Sequence, residues 1–220
     1  LMITEENIPS VRGASQAYGL SFTPGTWVES IQITKGAGSV VNGYESISGQ
    51  INTELIKPMK DIPFYLNAYG STDSRFELNT HFNRKITDKW ATSFYIHGNA
   101  RVAKNDMNHD HFLDNPLGKQ INLVNRWQYT NPETGWVSFI NFKFMKDEKQ
   151  TGDLDFDPKK DKFTTNHWGS EINTERFDFT SKIGYVFKDM PYQSIGFQNA
   201  FSNHNQQSYF RLNQYNIKQQ

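Results

Sequence analysis

Residues 75–83 read Arg-Phe-Glu-Leu-Asn-Thr-His-Phe-Asn and alternate between apolar and polar side chains. Successive side chains of a β-strand point to opposite faces of its sheet, so this stretch predicts a strand with one apolar and one polar face. The first face holds Phe76, Leu78, Thr80 and Phe82, and the second holds Arg75, Glu77, Asn79, His81 and Asn83. This segment decides the fold because the chain repeats its pattern from residue 62 onward.

The same period of two returns in four further segments, at residues 90–99, 120–129, 177–187 and 194–201. Two more strands are predicted at 62–70 and 136–145. In the strand at 136–145 the alternation is weaker, because Val137 and Phe139 lie on the face that should be polar. The sequence therefore predicts seven strands.

The predicted connections alternate between short and long. Those near 87–88, 131–135 and 189–191 are tight turns, whereas 103–119 and 146–176 are long and polar. Short turns at one end and long loops at the other are typical of a transmembrane β-barrel. The loop at 71–74 is the exception, because it is short although it falls on the long-loop side.

Aromatic side chains gather beside the predicted short turns, as in the interfacial girdle of a membrane barrel. They are Trp90, Trp127, Tyr129, Trp136, Tyr185, Phe187 and Tyr192. The alternative is a soluble β-sandwich that buries the same apolar faces in its core. A sandwich gives no reason for Trp and Tyr to gather at one end.

The composition excludes several other classes of protein. Among 220 residues, 23 Lys and Arg balance 23 Asp and Glu, so no basic excess is present to bind phosphates. There is no Cys, which excludes disulfides and thiolate sites. The chain contains no run of about 18 apolar residues, which is the length that a transmembrane helix needs. No GxSxG or HExxH motif is present either, and we expect no enzymatic activity.

Seven antiparallel strands cannot close a bacterial barrel, which uses an even number. Unpaired strand edges in lipid would leave backbone N–H and C=O groups without partners. The chain also opens with Leu1-Met2-Ile3 and carries no targeting segment. We therefore expect a piece of a longer protein, with more strands after Gln220.

The first 58 residues are patterned differently and are rich in glycine. One strand is predicted at 29–34, and Thr23 ahead of Pro24 predicts a capped helical turn just before it. The glycines that follow suit tight reversals. Their spacing fits neither a Walker loop nor a dinucleotide fingerprint, so phosphate binding is not indicated.

Residues 29–39, Glu-Ser-Ile-Gln-Ile-Thr-Lys-Gly-Ala-Gly-Ser, lead to a Gly-Gln-Ile-Asn strand at 49–52. This order resembles the end of the plug domain of TonB-dependent outer-membrane receptors, most closely the Bacteroidetes type. The matching motif residues are Lys35, Gly36, Gly38, Ser39, Gly43, Gly49 and Asn52. The resemblance implies a mostly β fold, with the C-terminal part of a mixed α/β plug at 1–58 and the N-terminal part of a transmembrane β-barrel at 59–220.

The resemblance also implies a function, which is active import of a scarce solute across the outer membrane of a Gram-negative cell. The expected solute is a ferric siderophore or another metal chelate. The expected partners are TonB with its inner-membrane accessory proteins, and the surrounding lipid and lipopolysaccharide. Two alternatives stay open: a structural or adhesive barrel in an envelope assembly, and a soluble β-rich binding module.

Two groups of residues are candidates for the solute path. Plug loops ahead of the motif strand touch the ligand in the resembling receptors, which implies ligand contacts by Arg12, Gln16 and Tyr18. Charged residues on the inward faces of the strands are expected to pair with the plug or to line the path. They are Arg75, Glu77, Arg126, Lys143, Asp178 and Lys182.

The loop at 106–114 has the oxygen spacing of the first part of a calcium site, with Asp106, Asn108, Asp110 and Asp114 as ligands. It departs from the full pattern at His111, where glycine is usual, and at Leu117, where a Glu is usual. No cofactor is required, and Ca²⁺ would be structural. The alternatives are a solvated acidic loop and a transition-metal site in which His109 and His111 join His167 or His204. A second acidic run, Asp153, Asp155, Asp157 and Asp161, is interpreted as solvated surface.

Overall fold

A computed structural model of the chain describes residues 1–16, 18–38, 43–190 and 192–220. Within these ranges the chain forms β-strands and short 3-10 turns and contains no α-helix. None of the described helical turns is long and apolar enough to cross a membrane. The strands belong to two sheets, here called the small sheet and the large sheet.

The small sheet has four strands, in the order β2-β1-β4-β3. Strand β1 pairs in parallel with β4, and the other two pairings are antiparallel. The strands are β1 (Met2–Glu5), β2 (Ile8–Val11), β3 (Val28–Thr34) and β4 (Gln50–Leu55). The 3-10 turns are Gly13–Ser15, Gly19–Phe22, Gly25–Trp27 and Tyr44–Ser46.

The mixed α/β character expected for residues 1–58 is not found in the described part of that segment. The short helical turn predicted after Thr23 and Pro24 is present as the 3-10 turn Gly25–Trp27, and β3 follows it directly. Thr23 does not cap that turn. Its hydroxyl donates instead to Glu5 Oε2 at 2.8 Å, which links it to the small sheet.

The large sheet has eight strands in sequence order, each antiparallel to the next. They are β5 (Phe64–Gly70), β6 (Arg75–Lys85), β7 (Trp90–Arg101), β8 (Leu117–Asn131), β9 (Trp136–Gly152), β10 (Gly169–Val186), β11 (Ser194–Phe210) and β12 (Asn213–Gln219). The sheet is open, with β5 and β12 at its edges. We call the end at 86–89, 132–135 and 187–193 the short-turn end and the opposite end the long-loop end.

The prediction of seven strands was wrong by one strand. The missed strand, β12, is a polar stretch, Asn-Gln-Tyr-Asn-Ile-Lys-Gln, whose alternation is weak. It forms by pairing with β11 across the two-residue turn at 211–212. Strands β8 to β11 are also longer than predicted, at 15 to 18 residues, since they continue toward the long-loop end through mostly polar residues that lack the apolar alternation.

The two faces of the large sheet have opposite environments. On β6, the side chains of Phe76, Leu78 and Phe82 are 55%, 50% and 50% exposed, whereas Asn79 and His81 are 1% and 2% exposed. The polar face is the covered one, because the small sheet packs against it. This is the reverse of a soluble sandwich, whose apolar faces would meet in the core.

The core between the sheets is small and contains residues from both. Trp27 and Leu55 of the small sheet pack against Tyr95 and Val124 of the large sheet. The rings of Trp27 and Tyr95 lie 5.7 Å apart. At the short-turn end, half-exposed aromatic pairs form on the outer face, Trp90 with Tyr129 at 4.9 Å and Trp136 with Tyr185 at 5.0 Å. The predicted gathering of aromatic side chains at that end is present in the fold.

Candidate functional site between the two sheets

The hairpin of β1 and β2 carries the acidic groups that meet the large sheet. Its turn contains Glu6 and Asn7, both with positive φ, at 54° and 61°. Asn52 on β4 holds this turn in place, because its Oδ1 accepts the Asn7 N–H and the Thr4 hydroxyl, each at 2.8 Å. A buried motif residue of the sequence thus fixes the position of the acidic turn.

Four basic side chains of the large sheet bind this hairpin. Arg126 on β8 pairs with Glu6 in a buried ion pair, with side chains 1% and 7% exposed. Lys143 on β9 pairs with Glu5 at 2.9 Å. From β10, Arg176 Nη2 donates to the Ser10 carbonyl at 2.7 Å, and Lys182 donates to the carbonyl of Glu6. The large sheet therefore presents four cations to this one hairpin.

The Glu5 carboxylate is ionised in this setting. Burial by itself raises the pKa of Glu5, but the charge of Lys143 and the hydrogen bonds from Lys143 and Thr23 outweigh it, and the pKa lies below its ordinary value of 4.5. Lys143 Nζ also donates to Thr23 Oγ1 at 2.9 Å. The three side chains form one charged, hydrogen-bonded contact between the sheets.

Neutral side chains extend the attachment. Gln120 and Asn122 on β8 donate to the carbonyls of Ser21 and Phe22, both at 3.0 Å. The chain segment that connects β4 to β5 is bound to the large sheet as well. The Tyr95 hydroxyl donates to the Ile56 carbonyl at 3.1 Å, and Asn83 Nδ2 donates to the Pro58 carbonyl at 2.7 Å. The chain that leaves the small sheet is therefore held along the wall it enters.

Above the attachment, an open pocket lies between the sheets at the long-loop end. It contains about 970 Å³ of space between protein atoms, with the open solvent at its mouth included. Its floor is the segment Ser21 to Gly25, between β2 and β3. Its walls come from β6 to β9, and their inward-facing charged or polar side chains include Arg75, Glu77, His97, Asn99, Arg101, Asp147 and Lys149.

The cations of this pocket are paired, and each keeps part of its side chain exposed. Arg75 lies 3.1 Å from Glu77, and Arg101 lies 2.8 Å from Asp73. Lys149 pairs with Asp147, which is buried, and its Nζ also lies 5.3 Å from the centre of the Tyr18 ring. Exposed ion pairs contribute about 1 kcal/mol or less, so an anionic or chelating group could take over Arg75 at small cost.

A chain of hydrogen bonds joins one wall of the pocket to its floor. His97 Nδ1 lies 2.6 Å from Asn79 Oδ1, and Asn99 Nδ2 lies 2.9 Å from His97 Nε2. Asn79 uses its amide N–H groups on Glu77 and Asn67, so its oxygen accepts and the network assigns the proton of a neutral His97 to Nδ1. Asn99 also donates to Gln120 Oε1 at 2.8 Å, and Gln120 reaches the floor. The wall and the floor of the pocket are thereby joined by side-chain hydrogen bonds.

Of the three residues expected to touch a ligand, one borders this pocket. Tyr18 stacks under Lys149, which lines the pocket. Arg12 pairs instead with Glu45 at 2.6 Å, and Gln16 is exposed. Neither Arg12 nor Gln16 lines the pocket. Ligand contact by all three stays a prediction.

The inward-facing charged residues divide between the two regions of the site. Arg126, Lys143 and Lys182 contact the small sheet, whereas Arg75 and Glu77 line the pocket. Asp178 pairs with Arg176 at 2.8 Å and so orients the arginine that binds Ser10. Sequence reasoning missed the acceptors Glu5 and Glu6, since nothing in the pattern of residues 1–10 indicates a turn that enters the large sheet.

The motif residues 35–52 shape the small sheet. Gly49 has a φ of 116°, and a Cβ there would lie 2.7 Å from the Thr34 carbonyl oxygen. At Gly38 a Cβ would lie 2.8 Å from the Ser46 Cβ, so this glycine allows a close approach. Gly36 and Gly43 have positive φ, Lys35 is exposed, and Asn52 is buried. Ser39 lies outside the described residues.

The predicted calcium ligands lie together in the loop between β7 and β8. Their oxygens accept backbone N–H groups of the same loop: Asp106 binds those of Asp110 and His111, and Asp114 binds that of Met107. Asn108 Nδ2 donates to Asp110 Oδ2 at 3.0 Å. Calcium binding here stays a prediction.

The four histidines of the alternative metal site lie on three different elements. His109 and His111 are exposed in the loop between β7 and β8, and His167 lies near the end of the loop between β9 and β10. His204 is buried on β11, with its ring 6.3 Å from that of Phe22. A transition-metal site that joins them stays a prediction.

Comparisons with known proteins were made by sequence and by structure. No protein-family model matches the chain, and no curated protein matches it by sequence. Among solved structures, the siderophore receptor PiuA from Acinetobacter baumannii matches 94% of this chain with a TM-score of 0.67 and 14% identity. The ferripyoverdine receptor of the outer membrane of Pseudomonas aeruginosa, solved with ferripyoverdine bound, matches 99% with a TM-score of 0.50 and 12% identity.

The chain spans 29% and 38% of the length of these two receptors. At such low identity the likeness concerns the fold. Both the small sheet and the large sheet lie within the matched portion, since the match covers nearly the whole chain. The chain thus shares its fold with part of two siderophore receptors, one of them a receptor of the outer membrane.

Proposed function

We propose that this chain is part of a TonB-dependent receptor that imports a metal chelate across the outer membrane. In this proposal residues 1–58 belong to the plug, and residues 59–220 form the first strands of the barrel. The observation that carries it is the inverted large sheet, which exposes its apolar face and covers its polar face with a folded unit. Lipid on the outside and a plug on the inside give both faces a suitable environment.

The attachment between the sheets supports a plug that is held by reversible contacts. It consists of ion pairs and hydrogen bonds to backbone carbonyls, together with a small apolar core. Polar contacts of this kind can be exchanged for water one at a time, whereas a large apolar core would resist sliding. A plug that must move under a pull from TonB and its inner-membrane accessory proteins fits such an interface.

The pocket at the long-loop end is the proposed entry site for the solute. Its cations, Arg75, Arg101 and Lys149, suit the carboxylate, hydroxamate or catecholate oxygens of an iron chelate. Ferric siderophores are the proposed cargo, since both structural neighbours are siderophore receptors. The proposed location is the outer membrane, in contact with its lipid and lipopolysaccharide. No catalytic step is proposed for this chain.

Uptake in cells tests this function. We expect deletion of the gene to abolish energised uptake of at least one ⁵⁵Fe-labelled siderophore from a panel, and to slow growth under iron starvation. Complementation with the wild-type gene should restore uptake only where TonB is present. Unchanged uptake and growth in the deletion strain would refute import of iron chelates, and full uptake without TonB would refute the coupling.

A pair of matched variants tests the entry site. Arg75→Ala with Lys149→Ala removes two cations of the pocket, and we expect weaker uptake of the imported siderophore. Lys89→Ala is the control, because Lys89 is an exposed cation at the short-turn end, paired with Glu133 at 2.8 Å. Equal loss in both variants would contradict a pocket-specific role.

A further inference from the structure

The longest loop, residues 153–168, closes on itself at its base. Strands β9 and β10 end and begin at Gly152 and Gly169, which face each other in the antiparallel pairing. One step beyond them, Asp153 N donates to the Trp168 carbonyl at 2.9 Å. This closure brings the first residues of the loop next to His167, which is the second-last residue of the loop.

Three side chains converge at this base. Asp153, Asp155 and His167 each offer one ligand atom, and these atoms lie within 4.8 Å of one another. His167 Nδ1 is 3.3 Å from Asp153 Oδ2, while Asp153 Oδ1 accepts the Asp155 N–H at 2.9 Å. The cluster is open to solvent on the side of Asp155, which is exposed. A cation could therefore enter and keep water ligands.

The charges around the cluster differ from those of other acidic groups nearby. Asp157 has Lys160 at 3.6 Å, and Glu171 pairs with Lys162. Within the described ranges, no Lys or Arg lies at ion-pair distance from Asp153 or Asp155. Lys104 comes close, but its Nζ donates to the backbone carbonyl of Leu154. Two carboxylates thus share one imidazole and no permanent cation.

The neighbouring loop packs against the same base. Leu154 N donates to the His111 carbonyl at 2.8 Å, Leu113 N donates to the Gly152 carbonyl at 2.9 Å, and Phe112 forms a β-bridge with Asp153. The rings of Phe112 and Trp168 lie 6.1 Å apart. Anything that fixes Asp153 and His167 therefore also holds the loop between β7 and β8.

We propose that Asp153, Asp155 and His167 form a binding site for a divalent transition-metal ion such as Zn²⁺. One imidazole nitrogen with two carboxylate oxygens suits zinc, nickel or copper better than calcium, which binds oxygen ligands. The ion replaces the missing cation and joins the two ends of the longest loop. This site is separate from the acidic loop at 106–114, and it does not depend on the proposed import function.

Metal binding and protease protection test the site on the intact protein in detergent, after treatment with a chelator. Zn²⁺ alone is titrated by equilibrium dialysis, with Ca²⁺ as the comparison. Trypsin then reports on the loop, since Lys159, Lys160 and Lys162 lie between the two halves of the site. We expect saturable Zn²⁺ binding and slower cleavage at these lysines when Zn²⁺ is present.

Three variants decide the interpretation. His167→Ala and Asp155→Asn should each weaken Zn²⁺ binding roughly tenfold or more and remove the protection. His109→Ala is the control, because it removes an exposed loop histidine outside the cluster, and it should bind Zn²⁺ as the wild type does. Asp155→Asn keeps the test valid if His167→Ala does not fold. Absence of saturable Zn²⁺ binding, unchanged binding in both cluster variants, or equal protection by Ca²⁺ would overturn the proposal.

Discussion

Removing one partner of the buried pair between Arg126 and Glu6 should loosen the β1–β2 hairpin from the large sheet. Both side chains are almost fully buried, and Nε and Nη1 of Arg126 have no hydrogen-bond partner within the described residues. Breaking a buried ion pair by losing one partner costs about 3–5 kcal/mol, because the other charge stays buried and unpaired. At 1.4 kcal/mol per factor of ten, a loss of about 3 kcal/mol opens the hairpin roughly 100-fold more often.

Hydrogen exchange measured by mass spectrometry reports this opening directly. We expect amides of residues 2–11 to exchange roughly 100-fold faster in Glu6→Gln and in Arg126→Met, and the double variant to recover most of the protection, since no charge is then left unpaired. Lys146→Met is the control, because Lys146 is exposed on the outer face of β9. Unchanged exchange in both single variants would refute a coupled attachment. So would a double variant whose loss of protection equals the sum of the losses in the two single variants.

Three further changes have defined outcomes. Protonation of Glu5 should weaken its contact with Lys143. Because the pKa of Glu5 is lowered, the contact is fully stabilising above the ordinary value of 4.5 and is progressively lost as the pH falls toward the lowered pKa. Hydrogen exchange of residues 2–11, corrected for intrinsic rates, should therefore rise in acid, and Glu5→Gln should abolish this pH dependence. Leu78→Lys should destabilise the protein in lipid by about 2–4 kcal/mol in urea unfolding, whereas Asp88→Lys at a short turn should have little effect, and equal effects would contradict lipid contact. Gly49→Ala should lower the melting temperature, because alanine is strained at a φ of 116° and its Cβ meets a carbonyl oxygen, and an unchanged melting temperature would show that the backbone there relaxes freely.

The sequence was most informative where local pattern and environment agree. Strand β6 was predictable because Phe76, Leu78 and Phe82 share one face while the polar residues from Arg75 to His81 at odd positions share the other. Strand β12 was not, because its side chains are mostly polar and its formation depends on pairing with β11. The mixed α/β character expected for residues 1–58 came from the resemblance, whereas local pattern at Thr23 and Pro24 predicted the short turn that forms at Gly25–Trp27.

The site was only partly predictable for a related reason. The alternation of side chains along a strand predicts which residues point inward, so Arg126, Lys143 and Lys182 could be assigned to the covered face. Their partners could not be, because Glu5 and Glu6 meet them only through contacts more than 100 residues apart in the chain. The pocket residues at the ends of the strands, such as Arg101 and Lys149, were missed because the strands extend beyond their apolar bands.

Spin labels along β6 test most directly whether this sheet has lipid on one side and the small sheet on the other. These 220 residues hold no cysteine that would compete with single cysteines placed at positions 76 to 82. In the intact protein in lipid vesicles, we predict high accessibility to oxygen and low accessibility to a water-soluble nickel reagent at 76, 78, 80 and 82. We predict low accessibility to both at 79 and 81, and access of the nickel reagent at 77, which lines the open pocket. Equal values along the strand, or nickel access at the even positions, would contradict the account.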